Sequence, residues 1–426
     1  MKTLIKNVRA LLPDGTTPLT NIMIDRDKIA AIGEVPDGFR AAKVIDGTGK
    51  FAVPGFINAH THASMTLFRS YADDMDLMDW LNNMIWPAEA KMQEEDIYWG
   101  AMLAAVEMIE GGTTTFADMY GPYMEKVAEA ATDAGLRVVL SRGIIGVAPG
   151  GDAKIEENVS LYKDFNGAAD GRITVMFGPH APYTCPPDFL RKVASAAQSL
   201  GAEIHIHMAE TKAEVEQIVK EYGKRPFRYV EETGLFDGKG TLAAHCVHLD
   251  DEDIAIIKKH AIRVAHNPGS NMKLASGIAP VPRLLKEGVC VALGTDGASS
   301  NNNLDMLEEI NLAAVLHKVS TLDPLAVPAR TALKMGTEYG AKAVGLTGVG
   351  KLEAGCKADI TLFDMAGAAW YPRNDLASQL VYSAHADSAS TVLVDGRVLM
   401  EDGELLTLDK ERIFYEAQKC AERLTK

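Results

Sequence analysis

PGFINAHTH, residues 54–62, is the clearest signal of the fold, because a short apolar strand here ends in two histidines spaced two residues apart. Seven further segments of this kind follow it in the middle of the chain, separated by longer amphipathic segments. The eight strand segments are GFINAHTH, TTTFADM, RVVLSRGII, RITVMFGPH, AEIHIHMAE, GTLAAHCVH, IRVAHNPGS and CVALGTDGA. Eight alternating strand and helix units over about 290 residues predict a closed (β/α)8 TIM-type barrel.

The two chain ends have a different pattern of short strands and tight turns. NIMIDRDKIAAIG near the start and TVLVDGRVLMEDGEL near the end both alternate apolar runs with turn residues. The sequence therefore predicts an α/β protein in which residues 1–55 plus 346–426 form a small composite β-sandwich domain. Residues 56–345 are predicted to form the barrel, inserted between the two parts of that domain. An open doubly wound sheet is the rival fold, and it usually carries a glycine fingerprint after its first strand, which is absent here.

Composition excludes several classes of protein. The chain has 426 residues, 47% hydrophobic and 24% charged, which is typical of a globular protein. Its net charge of −15, with no basic stretch, argues against nucleic acid or an anionic membrane surface as a partner. No apolar run approaches the ~18 residues of a transmembrane helix. Five cysteines without a CxxC pair suit reduced thiols and a cytoplasmic location.

Ionisable residues lie where the predicted strands end. The carboxyl ends of barrel strands form the face that carries the active site in TIM-type enzymes, so these side chains are expected to converge. They are His60 and His62 after the first strand, His180 after the fourth, His207 on the fifth, His245 on the sixth and Asp296 on the eighth.

Three imidazoles and one carboxylate predict a metal site. His60 and His62 point to the same face of their strand and can share one ion. His205 and His207 form a second HxH pair, and the residue nearer the strand end, His207, is the expected ligand, which leaves His205 in the core or behind a ligand. Asp296 supplies a hard oxygen ligand or a base. This donor set favours Zn²⁺, with Fe²⁺ or Mn²⁺ as alternatives.

A single metal is expected, because a binuclear site requires a modified lysine on strand four and that strand ends at His180. Glu210, three residues after His207, is either a proton carrier between water and substrate or a solvated loop carboxylate. His245 either orients the attacking water or is a satisfied core histidine, and His248 is expected to be structural.

Motifs across the whole barrel resemble the amidohydrolase superfamily and its branch of methylthioadenosine/S-adenosylhomocysteine deaminases. The resemblance lies in PGFINAHTH (54–62), SMTLFRSYADD (64–74), IWPAEAKM with Glu89, GPHAPYTC (178–185), HMAET (207–211), AHCVHL (244–249), HNPGSNMKLASG (266–277), GTDGASSNNN (294–303) and the terminal GKLEAGCKADITLFD.

The resemblance implies a role for each matched residue. It implies that one divalent metal, with zinc preferred, is held by His60, His62, His207 and Asp296. It implies a catalytic group of Glu210 as the proton shuttle, with His245 and Asp296 beside the attacking water. It implies substrate contacts from Glu89 to the ribose hydroxyls, His180 to the ring or ribose, and Arg142 near the distal end of the nucleoside, besides Glu210 and Asp296.

Three of these assignments have plainer alternatives. Glu89 and Arg142 also suit surface ion pairs, and His180 also suits a helix cap. Some relatives carry a further arginine shortly after the one matched by Arg142, whereas this chain has Lys154, so recognition of a homocysteine carboxylate is left open.

The resemblance implies hydrolytic deamination of the adenine ring of 5′-methylthioadenosine and/or S-adenosylhomocysteine, giving the inosyl product and ammonia. The alternatives are deamination of another adenosine nucleoside (5′-deoxyadenosine, adenosine) or of guanine, and triazine-type dechlorination. The presence of both Glu210 and Asp296 favours deamination, and the complete ligand set argues against a non-catalytic barrel. The expected partner is a small-molecule nucleoside, and the chain is expected to form a homo-oligomer, either a dimer or a tetramer.

Overall fold

Seventeen strands form two sheets in a computed structural model that covers residues 1–426. The strands are β1 (Lys2–Ala10), β2 (Leu19–Asp25), β3 (Lys28–Ile32), β4 (Lys43–Asp46), β5 (Lys50–Pro54), β6 (Phe56–Thr61), β7 (Thr113–Tyr120), β8 (Arg137–Ile144), β9 (Ile173–Pro179), β10 (Ile204–Met208), β11 (Thr241–His245), β12 (Arg263–His266), β13 (Val291–Leu293), β14 (Ile360–Asp364), β15 (Ala389–Val394), β16 (Arg397–Glu401) and β17 (Glu404–Leu405).

Helices connect the strands and cover the sheets. They are α1 (Leu77–Asp79), α2 (Trp86–Glu89), α3 (Glu94–Glu110), α4 (Met124–Ala134), α5 (Gly151–Phe165), α6 (Ala168–Gly171), α7 (Pro187–Leu200), α8 (Lys212–Tyr222), α9 (Pro226–Glu231), α10 (Asp251–Lys259), α11 (Pro268–Lys273), α12 (Val281–Lys286), α13 (Ala298–Asn301), α14 (Met306–Thr321), α15 (Ala329–Met335), α16 (Glu338–Ala343), α17 (Leu376–Tyr382) and α18 (Lys410–Thr425). A π-helix spans Trp80–Ile85, and short 3-10 helices span Ala63–Phe68, Pro182–Thr184, Leu235–Asp237, Ala368–Trp370 and Ala386–Ser388. None of the helices combines the length and the hydrophobicity needed to cross a membrane.

The barrel is made by β6 to β13, which are parallel and neighbour one another in chain order. Its first and last strands meet where the backbone N–H of Asp296 donates to the carbonyl of His60 at 2.9 Å. All eight strands follow the eight segments expected from the sequence. The predicted fold class, an α/β protein with a TIM-type barrel, is therefore confirmed.

The second sheet has nine strands and draws on both chain ends. β5 pairs antiparallel with β14, and β1 runs parallel to β4 and β5. Thirteen buried apolar residues, among them Ile22, Ile24 and Leu362, form a separate core for this sheet. The domain boundaries at residues 55 and 345, the cytoplasmic location and the homo-oligomeric state stay predictions.

Small apolar side chains fill the barrel below its carboxyl-terminal mouth. A cluster of twelve buried residues includes Ala59, Ala117, Ala265 and Ala292 from four different strands. The barrel is therefore packed across its middle, and a cavity opens at the end where the polar residues lie.

Three of the strand ends turn through left-handed backbone. Ala209 has φ 50°, His245 has φ 72° and Asp296 has φ 61°. This region is unfavourable for residues with a side chain, and such residues concentrate at functional sites. The turns occur at the mouth of the barrel, next to the residues predicted to be functional.

A buried ion cluster joins the bottom of the barrel to the nine-stranded sheet. Arg137, the first residue of β8, lies 3.0 Å from Asp359 and 2.6 Å from Asp395. The side chains of Arg137 and Asp359 are 3% and 1% exposed. Asp359 directly precedes β14 and Asp395 directly follows β15 of the nine-stranded sheet. The guanidinium of Arg137 therefore links the barrel to that sheet through two ion pairs.

Replacing Arg137 is expected to destabilise the protein strongly. Arg137→Met leaves the buried Asp359 without its counter-charge, which costs about 3–5 kcal/mol in the free energy of unfolding. Urea unfolding measures the change. Arg26→Ala is the control, since Arg26 is 81% exposed and 3.8 Å from Asp25, and its loss should change stability by less than about 0.5 kcal/mol. Equal stability of the two variants would contradict this role.

Candidate metal centre and active-site pocket

A cavity of about 610 Å³ opens at the carboxyl-terminal end of the barrel strands. This volume lies in the range of small-molecule sites. The predicted site residues in its wall are His62, Glu89, Arg142, His180, His207, Glu210, His245 and Asp296. His60 lies directly beneath them and is fully buried.

The predicted metal ligands lie in two overlapping groups of donors, one of His60, His62 and His207 and one of His60, His245 and Asp296. The candidate ligand atoms of His60, His62 and His207 all lie within 4.8 Å of one another. Oδ1 of Asp296 is 3.5 Å from Nε2 of His60 and 3.2 Å from Nε2 of His62. Neighbouring ligands of a tetrahedral Zn²⁺ are about 3.4 Å apart when each bond is about 2.1 Å. Nε2 of His60 is buried without a hydrogen-bond partner, as expected of an atom that serves a cation.

The outer nitrogens of two of these histidines are fixed by the backbone. Nδ1 of His207 donates to the carbonyl of His180 at 2.8 Å, and Nδ1 of His62 donates to the carbonyl of Met119. A carbonyl can only accept, so each ring carries its proton on Nδ1 and keeps the lone pair of Nε2 for the centre. His60 differs, because its Nδ1 lies 2.9 Å from Nε2 of His205.

Asp296 is held as a carboxylate. Its Oδ2 accepts hydrogen bonds from Ser270 at 2.7 Å and from Ser300 at 3.2 Å, which leaves Oδ1 for the histidines. Burial alone would raise its pKa, but the imidazoles of His60 and His62, at 3.5 and 3.2 Å from Oδ1, hold the pKa of Asp296 well below the usual range. Asp296 is therefore ionised and can act as ligand and base.

Glu210 has the opposite protonation state. Burial, with the nearby charge of Asp296 adding to it, raises the pKa of Glu210 to about 8. The backbone that carries Glu210 is held in place by Glu214, whose oxygens accept the backbone N–H of Ala209 at 2.9 Å and of Glu210 at 2.8 Å. At neutral pH Glu210 carries a proton that it can donate into the cavity.

His245 lies beside Glu210 and is neutral. Burial lowers the pKa of His245 to about 4. Its Nδ1 lies 3.0 Å from the side-chain nitrogen of Asn271 and 3.3 Å from that of Asn267. Since these amides donate, the proton of the ring is on Nε2, which is 3.7 Å from Oε2 of Glu210 and directed at the cavity.

Glu89 and His180 face the same cavity. The hydroxyl of Tyr120 donates to Oε1 of Glu89 at 2.7 Å, and burial raises the pKa of Glu89. Nδ1 of His180 lies 2.9 Å from the hydroxyl of Thr184, and burial lowers the pKa of His180 to about 3. Each group has one side occupied by a protein partner and is otherwise free to meet a ligand.

Two cations lie in the wall of the cavity. Arg142 on β8 pairs with Glu157 at 2.7 Å, so the ion pair considered from the sequence does exist, but the arginine also lines the cavity. Lys154 on α5 is a second basic lining residue and forms no ion pair. Burial and the charge of Arg142 lower the pKa of Lys154.

Residues 51–399 match the sequence model of the Amidohydrolase family. The chain belongs to the amidohydrolase family. A relative from Pelotomaculum thermopropionicum, a 5-methylthioadenosine/S-adenosylhomocysteine deaminase, is 55% identical over 97% of this chain and 95% of its own. The resemblance to the family and to this branch is thus confirmed.

Two solved structures of other enzymes share the whole amidohydrolase architecture. An adenosine deaminase from Xanthomonas campestris with bound zinc has a TM-score of 0.94 and 31% identity, covering 99% of this chain and 98% of its own. Atrazine chlorohydrolase from Arthrobacter aurescens in complex with zinc has a TM-score of 0.91 and 26% identity, covering 98% of this chain and 100% of its own. Both neighbours contain the metal for which the donor set of this amidohydrolase is suited.

The sequence did not reveal the apolar walls of the cavity. Met65, Met119 and Tyr183 line it, together with Trp80 and Trp86 from the π-helix and the start of α2. The aromatic residues of MDLMDWLNNMIW, residues 75–86, were the available signal. The supporting serines and asparagines lie inside the motifs that carried the resemblance, but sequence alone gave them no role.

Proposed function

We propose that this protein hydrolytically deaminates the adenine ring of 5′-methylthioadenosine and/or S-adenosylhomocysteine. The observation that carries the proposal is the protonated Glu210, with a pKa of about 8, facing a cavity that also contains a set of metal-type donors. A carboxyl group that is neutral at pH 7 is suited to protonate a ring nitrogen. The name of the Pelotomaculum relative supports the same reaction and substrates.

One zinc ion per chain would be held by His60, His62, His207 and Asp296. The grouping of the ligand atoms of the three histidines, the distances of 3.5 and 3.2 Å from Oδ1 of Asp296 to two of them and the unpartnered Nε2 of His60 support this assignment. When bound, a divalent ion acts as a Lewis acid and lowers the pKa of water at the centre toward neutrality.

The side chains divide the proton transfers among them. Glu210 donates its proton to the ring nitrogen beside C6 while water adds to C6. Asp296, which is ionised, accepts a proton from that water, and Nε2–H of His245 hydrogen-bonds the developing oxygen. Asp296 then passes its proton to the amine, and the C6–N bond breaks to release ammonia. As the C6 carbonyl of the inosyl product forms, the hydroxyl proton left on its oxygen returns to Glu210, so both carboxyl groups regain their starting protonation states.

The remaining lining residues would hold the nucleoside. Glu89 is proposed to accept hydrogen bonds from the vicinal ribose hydroxyls, and His180 to contact the ring or ribose. Arg142 and Lys154 add positive charge to the cavity wall, which suits the carboxylate of S-adenosylhomocysteine. Lys154 supports this substrate because it lines the cavity and Glu157, the carboxylate near it, is paired with Arg142.

The alternative function is the deamination of another adenine nucleoside, such as 5′-deoxyadenosine or adenosine. The structural similarity to the Xanthomonas adenosine deaminase favours it. The two functions share the chemistry at C6 and differ only in the group bound at the 5′ end.

Ammonia release from a panel of nucleosides tests the proposal. Zinc-loaded protein is expected to turn over 5′-methylthioadenosine and S-adenosylhomocysteine with higher kcat/KM than 5′-deoxyadenosine, adenosine or guanine. Lys154→Ala should lower kcat/KM for S-adenosylhomocysteine and leave that for 5′-methylthioadenosine unchanged, because only the former has a carboxylate. Preference for adenosine would favour the alternative, and no reaction with any adenine nucleoside would refute the proposal.

The pH profile tests the proton donor. Because Glu210 is protonated below its pKa of about 8, kcat/KM should be steady near neutral pH and fall above it, by about tenfold per pH unit. Glu210→Gln should lower kcat by about 10²–10⁴-fold. Glu216→Gln, at an exposed position of α8, is the matched control and should be unaffected. Full turnover by Glu210→Gln would exclude the shuttle role.

Removal of the metal is expected to abolish deamination. Dialysis against dipicolinate should give inactive apoprotein, and one equivalent of Zn²⁺ per chain should restore the rate. Elemental analysis and a titration of activity against added metal measure the stoichiometry. Two tightly bound ions per chain would contradict the mononuclear assignment.

A further inference from the structure

His205 is a buried histidine that the proposed chemistry does not use. It lies on β10, two residues before His207, and has no exposed surface. Its Nε2 is 2.9 Å from Nδ1 of His60, and its Nδ1 is 3.4 Å from the hydroxyl oxygen of Ser141 on β8. The three side chains form a line of polar groups that runs from the metal donors into the barrel.

The environment of His60 differs from that of the other two donor histidines. The outer nitrogens of His62 and His207 meet backbone carbonyls, which hold their rings whatever side chains surround them. The outer nitrogen of His60 has a side chain as its only partner. The orientation of His60 therefore depends on the identity of residue 205.

We propose that His205 is a positioning residue for the metal centre, accepting the Nδ1–H of His60 and so directing the lone pair of Nε2 at the ion. The inference rests on the mononuclear metal site of the proposed function. Because Nε2 of His60 gives its lone pair to the metal, the proton of the neutral ring must be on Nδ1. In the buried interior, Nε2 of His205 is the acceptor within reach of that proton.

The direction of the remaining hydrogen bond follows from this one. If Nε2 of His205 accepts, its own proton is on Nδ1 and is donated to the hydroxyl of Ser141. Loss of the acceptor would leave a buried N–H of His60 unpaired, and the ring would lose its preferred orientation.

Metal affinity tests the inference without any substrate. Three variants are compared. His205→Leu has no hydrogen-bond acceptor at residue 205, whereas the side-chain carbonyl of His205→Gln can accept. Ser141→Ala removes the hydroxyl that partners Nδ1 of His205. Competition with a chromogenic zinc chelator measures affinity, and the visible absorption of the Co²⁺-loaded protein reports the ligand geometry. Thermal unfolding without metal reports the stability of the fold.

His205→Leu is expected to bind Zn²⁺ about 10- to 100-fold more weakly and to alter the Co²⁺ spectrum, as supporting partners of metal ligands generally do. His205→Gln should recover most of the affinity, and Ser141→Ala should lose only a few-fold. His317→Leu is the matched control, since His317 is also fully buried and pairs with another histidine, His266, at 3.2 Å, outside the predicted ligand set. It should lower thermal stability and leave metal affinity unchanged.

Wild-type affinity and an unchanged Co²⁺ spectrum in His205→Leu would overturn the inference, as would equal loss in the leucine and glutamine variants. If the leucine variant does not fold, the glutamine and Ser141→Ala variants decide the matter by the same criteria. A wild-type protein that binds one Zn²⁺ but deaminates no nucleoside would refute the proposed function alone, and the metal measurements would still test His205.

Discussion

The buried carboxylate of Asp296 organises the site through its contacts with both ends of the barrel sheet. Its backbone N–H closes the barrel against His60, and its side chain meets the imidazoles of β6 and the loop that follows. Because an ionised group in the interior is costly without partners, the surrounding residues must supply them. The hydroxyls of Ser270 and Ser300 do so on the oxygen that faces away from the histidines.

The two carboxyl groups of the site differ in protonation state, because their partners differ: Asp296 is ionised and Glu210 is neutral. Asp296 is surrounded by two serine hydroxyls and two imidazoles, which stabilise its negative charge. Glu210 is equally buried but has no basic partner as near, and the charge of Asp296 opposes its ionisation. Such separation of pKa values gives one base and one acid at the same pH, as hydrolysis of a C–N bond requires.

The sequence was sufficient to predict the barrel and to place nine residues at its mouth, because the alternation of strands and helices and the residues that end each strand can be read from local sequence. It also favoured His207 over His205 by position along the strand. It could not reveal that Asn271 and Asn267 meet His245, that Tyr120 supports Glu89, or that the strand ends turn through positive φ. These contacts join elements distant in the chain, and their geometry exists only after the strands have come together. The tryptophan-bearing π-helix was missed for a different reason, since its pattern has no regular α-helical period.

The shared sheet of the two chain ends has a consequence for synthesis. β5 ends at Pro54 and pairs with β14, which begins at Ile360, so the pairing partner emerges from the ribosome some 300 residues later. Until then the first five strands have an open edge, and exposed edges invite association with other chains. Arg137 likewise has neither of its carboxylate partners until Asp359 and Asp395 have been synthesised. The barrel strands are all made before these contacts exist, so the final step of co-translational folding is the arrival of the last 70 or so residues, which cover the edge.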